Sequence, residues 1–291
     1  MRCHEATKAR LDFPILPSGV DTVRKSLDIQ YSLESQITSA LKELAGSPQQ
    51  LSGFCTVCNQ KTEFSFESDS DGFTNWREQL SCQGCNLINR WRGALELTDR
   101  LVQNYADPAR IYLTEELSPV FRWAAKRWPD TVGSEFVDRS VEPGTRTSYY
   151  DHPVRHEDVT QLSFADNSLS HILTLDVLEH IPNYCSALKE FFRVLEPSGQ
   201  LVVSVPFVIN FESTQIRAKL KSNGEIEHLL EPEYHGDPVN ADGVLCFYNF
   251  GWDFLDEIRN IGFSQVAVRP FWDPAKGYLG VGQTLITGQK T

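Results

Sequence analysis

From residue 107 onward, short apolar runs alternate with segments whose apolar residues recur at helical spacing. The apolar runs predict strands at 110–114, 131–137, 154–162, 169–175, 200–207, 263–269 and 280–287. The helical spacing predicts helices at 119–128, 184–195 and 251–261. Ser118 is placed to cap the first helix, and Pro129 ends it. Strands that alternate with helices indicate a parallel sheet, so we predict an α/β domain over residues 107–291 that ends in an antiparallel hairpin.

The chain before this domain has a different pattern. Leucine and isoleucine residues within 32–44 lie at helical spacing, and the Gly-Ser-Pro that follows ends the predicted helix. Residues 62–67 alternate between polar and apolar, which predicts a short strand. We therefore expect an N-terminal helical segment at residues 1–50 and a separate small module at residues 51–106.

Two C-x2-C pairs, Cys55 with Cys58 and Cys82 with Cys85, are separated by 23 residues. Zinc prefers a tetrahedron of soft ligands, and each C-x2-C pair offers two thiolates from one turn. Four thiolates close the metal shell, whereas a catalytic zinc keeps one position open. The spacing therefore predicts structural zinc in a zinc-ribbon module, with a redox dithiol as the alternative.

Other residues refine this interpretation. Asn59 after the first pair and Gly84 within the second supply tolerance for unusual backbone angles. The remaining cysteines, Cys3, Cys185 and Cys246, show no partner pattern. We interpret Cys185 and Cys246 as small core residues rather than nucleophiles.

The composition limits the partners of the chain. Its 291 residues carry a formal net charge of −12, which disfavours a nucleic-acid partner because phosphate binding depends on Lys and Arg. The Arg-Trp-Arg at residues 90–92 could still form a local basic patch. The longest apolar stretch, 201–209, is far shorter than the roughly 20 residues that cross a bilayer. The first ten residues lack a secretory pattern, so we expect a cytoplasmic protein with no membrane association.

Residues 158–207 (DVTQLSFADNSLSHILTLDVLEHIPNYCSALKEFFRVLEPSGQLVVSVPF) resemble the later motifs of class I S-adenosylmethionine-dependent methyltransferases. The shared features are an initial acid, an F-x-D-x-S turn, a strand end reading D-V-L-E-H and a turn reading R-V-L-E-P-S-G. The resemblance extends over most of residues 107–287, and the cysteine pairs resemble those of a subgroup with an N-terminal cysteine-rich module. It implies a Rossmann-like seven-stranded methyltransferase sheet with S-adenosylmethionine as methyl donor.

The resemblance also implies a set of cofactor-binding residues at the carboxyl ends of the strands. They are Thr114, Glu115, Ser118, Glu135, Phe136, Asp158, Val159 and Asp176. Glu135 matches the acid that accepts hydrogen bonds from the ribose hydroxyls, and a solvated loop acid is the alternative. Asp158 matches the acid at the adenine amino group, and a turn-forming aspartate is the alternative.

One family motif is missing. A glycine-rich loop normally follows the first strand, but residues 111–118 read IYLTEELS. Glycines in such a loop let the backbone approach the cofactor closely. Three interpretations remain: the cofactor is held by Thr114, Glu115 and the helix N-terminus at Ser118; it binds weakly; or the domain is a non-catalytic relative.

The candidate catalytic residues lie near the acceptor side of the resembling domain. Asp176 ends a buried strand and is expected to face a polar pocket. His180 is a candidate base or cofactor-orienting residue, with a structural histidine as the alternative, and Glu179 is interpreted as an exposed acid. The long insertion at about 208–249 is expected to form an acceptor lid. Within it lies His235, our preferred general base, in the segment EYHGDP, for which a plain turn is the alternative.

The predicted activity is methyl transfer to a small-molecule acceptor, such as a sugar or a secondary metabolite. Alignment of donor and acceptor and removal of one proton suffice for this reaction. The alternatives are a non-catalytic pseudo-methyltransferase scaffold and an RNA methyltransferase guided by the zinc module. No sequence feature selects the acceptor atom or an oligomeric state.

Overall fold

A computed structural model describes residues 11–14, 20–43, 49–69, 73–149, 151–236 and 243–291. The chain divides into two compact units. The cysteine unit comprises Met1–Arg100 and Val268–Leu285, and the sheet unit comprises Leu101–Ala267 and Ile286–Thr291. Among the described residues, no helix combines the length and the apolar character needed to cross a membrane.

The helices and strands have the following bounds. The helices are α1 (Val20–Glu43), α2 (Asn89–Gln103), α3 (Pro119–Arg127), α4 (Tyr184–Val194) and α5 (Asp253–Ile261). The strands are β1 (Leu11–Asp12), β2 (Gln49–Cys55), β3 (Gln60–Phe66), β4 (Ser81–Cys82), β5 (Ile111–Leu113), β6 (Thr131–Gly133), β7 (Arg146–Tyr149), β8 (His152–Arg155), β9 (Leu169–Leu175), β10 (Leu195–Ser204), β11 (Gln215–Ile216), β12 (Ala218–Leu220), β13 (Ile226–His228), β14 (Tyr234–His235), β15 (Val244–Leu245), β16 (Tyr248–Asn249), β17 (Phe263–Trp272) and β18 (Thr284–Lys290).

In the cysteine unit, β2, β3 and β4 form an antiparallel sheet. Phe64 and Phe66 on β3 are buried together with Leu33 of α1, because alternate residues of a strand face the same side. The strand predicted at 62–67 is confirmed as β3, and the helix predicted at 32–44 is part of the longer α1. The unit therefore buries its apolar residues between a helix and a small sheet.

Arg92 of α2 is fully buried in the cysteine unit. Its guanidinium carbon lies 4.2 Å from the ring centroid of Phe64 and 4.9 Å from that of Tyr278. It donates hydrogen bonds to three backbone carbonyl oxygens, which satisfy most of its polar hydrogens. Arg90 pairs with Glu78 at 2.8 Å. These two arginines therefore do not form the local basic patch that the sequence left open, since one is in the core and the other faces an acid.

The sheet unit is a mixed α/β fold with a central mixed sheet. Strands β10, β9, β5 and β6 lie side by side and run parallel, while β18 pairs with β10 in the antiparallel direction. The predicted parallel sheet is thus confirmed for these strands. β9 coincides with the strand predicted at 169–175, and all of its residues are buried. A strand buried on both faces is typical of the centre of a parallel sheet.

Two predicted strands differ from the structure. The strand predicted at 131–137 ends as β6 at Gly133. The segment 154–162 contributes no strand to the sheet within the described residues, because β8 pairs antiparallel with β7 as a local hairpin. Only an isolated parallel bridge between Glu135 and His156 continues the expected pairing. Asp151, with φ of +64°, lies at the start of β8 and favours this chain reversal.

Helix α4 packs against the sheet through a regular apolar face. Ala187, Leu188 and Phe191 are fully buried, and the side chain of Asn183 accepts a hydrogen bond from the Ser186 N–H at 3.4 Å as an N-cap. The predicted helix is confirmed and ends one residue earlier than expected. Its N-terminus therefore fixes the turn that follows β9.

The insertion is built from pairs of short strands in its described part, which lacks residues 237–242. Strand β11 pairs with β16, β12 with β13, and β14 with β15. Ala218, Leu245 and Phe247 form a small buried cluster within it. The Phe247 N–H donates to the Glu179 carbonyl at 2.7 Å, so the insertion is held against the turn after β9.

Candidate functional site

The predicted metal ligands Cys55, Cys58, Cys82 and Cys85 lie together in the cysteine unit. The Cys55 and Cys85 sulfurs are 3.9 Å apart, and the Cys58 and Cys82 sulfurs are 3.7 Å apart. All four sulfurs lie within 4.8 Å of one another. Tetrahedral zinc with Zn–S bonds of about 2.3 Å places its sulfurs about 3.8 Å apart. The donor set and its spacing therefore fit a zinc ion.

Each cysteine pair is followed by a residue in the left-handed region, Asn59 with φ of +54° and Asn86 with φ of +58°. Asn59 matches the sequence prediction, whereas Asn86 was missed. Gly84 does not have a positive φ, so the angle-based expectation for it is wrong. Gly84 instead avoids a steric conflict, because a Cβ at this position would lie 3.1 Å from the Cys58 sulfur. Its N–H also donates to the Cys82 sulfur at 3.3 Å.

The cysteine cluster favours a thiolate. The hydrogen bond from the Cys85 thiol lowers the pKa of Cys55 to about 5 and outweighs burial, which acts in the opposite direction. Thiolates, rather than thiols, bind zinc. Burial raises the pKa of Cys58, and the hydrogen bond to Cys55 raises that of Cys85, so these two thiols shift in the opposite direction.

The glycine-free loop between β5 and α3 is held by side-chain contacts. The Thr114 hydroxyl is 3.0 Å from that of Thr174. Ser118 Oγ accepts a hydrogen bond from the Phe121 N–H at 3.0 Å, and Pro119 is the first residue of the helix. The predicted N-cap is confirmed, and the loop enters α3 with a defined direction.

Glu135 closes this loop from the neighbouring strand end. Its Oε1 accepts hydrogen bonds from the Glu116 and Leu117 N–H groups, both at 2.8 Å. Gly133 lets the loop come close, because a Cβ there would lie 2.6 Å from the Glu115 carbonyl oxygen. The close packing of the loop backbone against β6 therefore depends on a glycine of the strand and not on a glycine within the loop. A carboxylate that accepts two N–H groups fixes the loop conformation.

Glu116, which the sequence did not single out, joins the loop to the β7–β8 hairpin. Its carboxylate accepts a hydrogen bond from the Arg155 N–H at 2.6 Å. It also pairs with Arg146 at 2.5 Å. The loop is thus fixed from two sides.

Three further predicted cofactor-binding residues flank this hairpin along the chain. Asp158 accepts hydrogen bonds from the Thr160 N–H at 2.8 Å and from the Thr160 hydroxyl at 2.6 Å. These contacts are those of a turn-forming aspartate. Val159 is buried, and the half-exposed ring of Phe136 lies 5.5 Å from the His156 ring. Adenine binding by Asp158 stays a prediction.

Asp176 follows the carboxyl end of β9 in a left-handed conformation, with φ of +54°. Its N–H donates to the Ser204 carbonyl at 2.8 Å, and its Oδ1 accepts a hydrogen bond from the Ser204 hydroxyl at 3.2 Å. Because β5, β6 and β9 run parallel, their carboxyl ends lie at one edge of the sheet. That edge carries Thr114, Glu135 and Asp176.

A second cluster of polar side chains lies where the insertion meets the turn after β9. The rings of His180 and His235 meet edge to face, with centroids 5.1 Å apart. The Glu179 carboxylate oxygen Oε1 lies 3.4 Å from His235 Nδ1 and 3.9 Å from His180 Nε2. The side chain of Glu179 is 0% exposed, so the expectation of an exposed acid is wrong. Cys246 is buried as predicted, but its sulfur lies 4.0 Å from His180 Nδ1.

The side chains of this cluster shift one another's pKa values. Hydrogen bonds to Cys246 and Glu179 raise the pKa of His235 to about 10. Burial raises the pKa of Glu179, and the contact with His235 offsets only part of that effect. Burial acts to raise the pKa of Cys246 as well, but its contacts with His180 and His235 lower it overall. The predicted residue Asp237 lies outside the described residues.

A family model matches the segment that carries the acids of the sheet edge. Residues 119–203 match the family described as "Methyltransferase domain". The match runs from the start of α3 almost to the end of β10 and includes Glu135, Asp158 and Asp176. It supports a methyltransferase.

Individual relatives resemble shorter parts of the chain. The demethylmenaquinone methyltransferase of Staphylococcus saprophyticus is 32% identical over 75 residues, which are 25% of this chain and 32% of that protein. Its counterpart from Staphylococcus epidermidis is 36% identical over 73 residues, 24% of this chain and 30% of that protein. The chain thus spans about a third of the length of these curated relatives. The crystal structure of DesVI from Streptomyces venezuelae aligns with a TM-score of 0.44 and 15% identity, over 70% of this chain and 92% of that one.

Proposed function

We propose that the sheet unit transfers a methyl group from S-adenosylmethionine to a small-molecule acceptor. The observation that carries this proposal is the sheet edge itself. Glu135 and Asp176 lie at the carboxyl ends of parallel strands beside the loop that begins at Thr114, within or next to the segment that matches a methyltransferase domain. Ligands of open α/β sheets bind at this edge. The expected Rossmann-like seven-stranded arrangement belongs to the same proposal.

Different residues around this edge would bind different parts of S-adenosylmethionine. S-adenosylmethionine supplies an electrophilic methyl group on a sulfonium, so the protein has to align the two substrates and accept one proton. Glu135 is assigned to the ribose hydroxyls and Asp158 to the adenine amino group. The rest of the proposed cofactor set consists of Thr114, Glu115, Ser118, Phe136, Val159 and Asp176.

The acceptor end is assigned to the turn after β9 and the insertion. Asp176, His180 and His235 are proposed to orient the acceptor and to receive its proton as a group, with residues 208–249 as the covering segment. The formal net charge of −12 and the burial of Arg92 favour a small molecule over RNA. Similarity to proteins named demethylmenaquinone methyltransferase is compatible with a small organic acceptor.

Calorimetric titration with S-adenosylmethionine and with its demethylated product tests cofactor binding. We expect the wild type to bind both. Glu135→Ala and Asp158→Ala should each bind about 10-fold to 100-fold more weakly, because a hydrogen bond to a charged group contributes about 1.5–3 kcal/mol. Asp256→Ala is the matched control, since this acid on α5 is 71% exposed and should leave affinity unchanged.

A non-catalytic scaffold is the second candidate, and one observation favours it. The Glu135 carboxylate already accepts two hydrogen bonds from the loop backbone, as a purely structural acid would. In that case the wild type binds neither compound, while Glu135→Ala still lowers the melting temperature. Binding that both acid variants leave at wild-type strength would also reject the proposed enzyme site.

We further propose that residues 51–106 form a zinc-ribbon module with one structural zinc. The support is the spacing of the four sulfurs and the pair of left-handed asparagines that shape the two turns. Cys55, Cys58, Cys82 and Cys85 would close the metal shell, which leaves no position for a reacting ligand. The role assigned to this zinc is therefore to stabilise the module.

A further inference from the structure

The cluster of His180, His235, Cys246 and Glu179 contains the donor types that transition metals prefer, and it is separate from the four-cysteine site. One donor atom each from His180, His235 and Cys246 lies within 4.8 Å of the other two. The three residues come from distant parts of the sheet unit, the turn after β9, strand β14 and the segment after β15. A core that needed only apolar packing would not bring two imidazoles and a thiol to one point.

The spacing of these donors is close to that around a bound zinc ion. Zinc bonds of about 2.0–2.1 Å to nitrogen and about 2.3 Å to sulfur place neighbouring ligand atoms about 3.3–3.8 Å apart. One ligand atom of each of His180, His235 and Cys246 lies within 4.8 Å of the other two, which is somewhat wider than this spacing. Inward shifts of about an ångström would bring the three atoms to ligand distance.

Two backbone contacts hold the cluster in place. The Leu245 carbonyl is 2.9 Å from His180 Nδ1, and because a carbonyl only accepts, Nδ1 carries the proton in this contact and Nε2 keeps its lone pair. Metal-binding histidines usually donate their second ring N–H to an oxygen in this way. The Cys246 N–H donates to the Glu233 carbonyl at 2.8 Å, which fixes the backbone that carries the thiol.

The charge balance also points to a bound cation. The Glu179 carboxylate is 0% exposed and faces both imidazoles. A buried carboxylate is costly unless positive charge lies beside it. A divalent ion that displaces the proton of His235 balances one thiolate and one carboxylate, and two neutral imidazoles add no charge.

From this geometry we propose that His180, His235 and Cys246 bind one zinc-type divalent ion, with the Glu179 carboxylate facing the ion and its histidines. Nitrogen and thiolate donors select zinc over magnesium or calcium, which prefer oxygen. Three protein ligands leave room for an exogenous donor atom, unlike the closed shell of the four cysteines. A histidine that binds the ion through its lone pair cannot also receive the acceptor's proton, so this second metal site is an alternative to the proton-accepting role proposed for His180 and His235.

Metal analysis of the full-length protein tests the proposal. The wild type is saturated with zinc alone, desalted and assayed for zinc per chain. We expect two zinc ions in the wild type and one in Cys246→Ser and in His235→Gln. Cys185→Ser is the matched control and should keep two, since this cysteine of the same unit lies outside both clusters. Glu179→Gln should bind the second zinc about 10-fold to 100-fold more weakly.

Cobalt substitution provides a readout that does not depend on counting. The Cys246→Ser and His235→Gln variants should lose one set of visible bands and keep those of the tetrathiolate site. His235 lies on a short strand and is 31% exposed, so its replacement is expected to fold even where Cys246→Ser does not. One zinc in the saturated wild type, or two in folded His235→Gln, would overturn the proposal. Cofactor titration of the same samples reports separately on the methyltransferase proposal.

Discussion

His171 lies in the middle of β9, and its side chain is fully buried. Its ring and that of Tyr105 are arranged edge to face, with their centroids 5.1 Å apart. Burial lowers its pKa to about 4, from a usual value near 6.5. Between these values the unfolded chain binds the proton and the folded chain does not. The contribution of neutral His171 to the free energy of unfolding is therefore complete above pH 6.5. It is lost as the pH falls through 4, and the loss amounts to about 3 kcal/mol in total.

We expect His171→Gln to remove this pH dependence, because glutamine does not titrate. Urea unfolding at pH 7.5 and pH 4.5 measures the free energy of unfolding of both proteins. The loss on acidification should be about 2–3 kcal/mol smaller in the variant than in the wild type. His228→Gln serves as control, since His228 is exposed on β13. Equal acid sensitivity of wild type and His171→Gln would contradict the argument.

Individual site residues were predictable where their neighbours are local in sequence. The two C-x2-C pairs predict the metal site because the two cysteines of each pair lie on one turn. Glu179 was wrongly placed at the surface, since its burial depends on His235 and Cys246, more than fifty residues further along the chain. No pattern within the D-V-L-E-H segment indicates that contact.

At the scale of elements, prediction succeeded where burial follows a regular period. β9 is apolar along its length, and α4 has both an asparagine cap and a continuous apolar face, so both were located closely. The strand predicted at 154–162 failed because β8 pairs with β7 through a local hairpin instead of joining the sheet. The apolar content of a segment does not show whether it pairs with a strand of the parallel sheet or with the preceding strand of a hairpin. Glu135 was predicted to end the second strand but lies two residues past β6, and its contact with the loop backbone required the fold.

The start of α3 offers a direct test at this scale. Ser118→Ala removes the oxygen that accepts from the Phe121 N–H, so the free energy of unfolding should fall by about 1 kcal/mol. Ser118→Asp retains a capping oxygen and should restore most of that loss. Ser148→Ala, on an exposed position of β7, is the control and should change stability little. Denaturant unfolding followed by circular dichroism measures all three, and an unchanged Ser118→Ala would remove the assigned cap.

At the scale of the whole molecule, the chemistry is divided between the two units. The cysteine unit carries four clustered thiols around a small core, whereas the sheet unit carries acids at the carboxyl edge of a parallel sheet. From the sequence, the start of alternating strands and helices near residue 107 predicts a boundary there, while the first compact unit runs to Arg100. It did not predict that residues 268–285 belong to the cysteine unit, since the closing strands contribute to both units.

The stability of the cysteine unit should depend on its metal. Cys58→Ser removes one of the two partly exposed ligands of the four-sulfur cluster without emptying a large core volume. Because zinc binding is linked to folding, we expect this variant to lose one zinc per chain and to unfold at least about 5 °C lower in scanning calorimetry. Cys185→Ser keeps all four sulfurs and should match the wild type in both measurements. A Cys58→Ser protein that melts with the wild type after losing its zinc would show that the module folds through its apolar core alone.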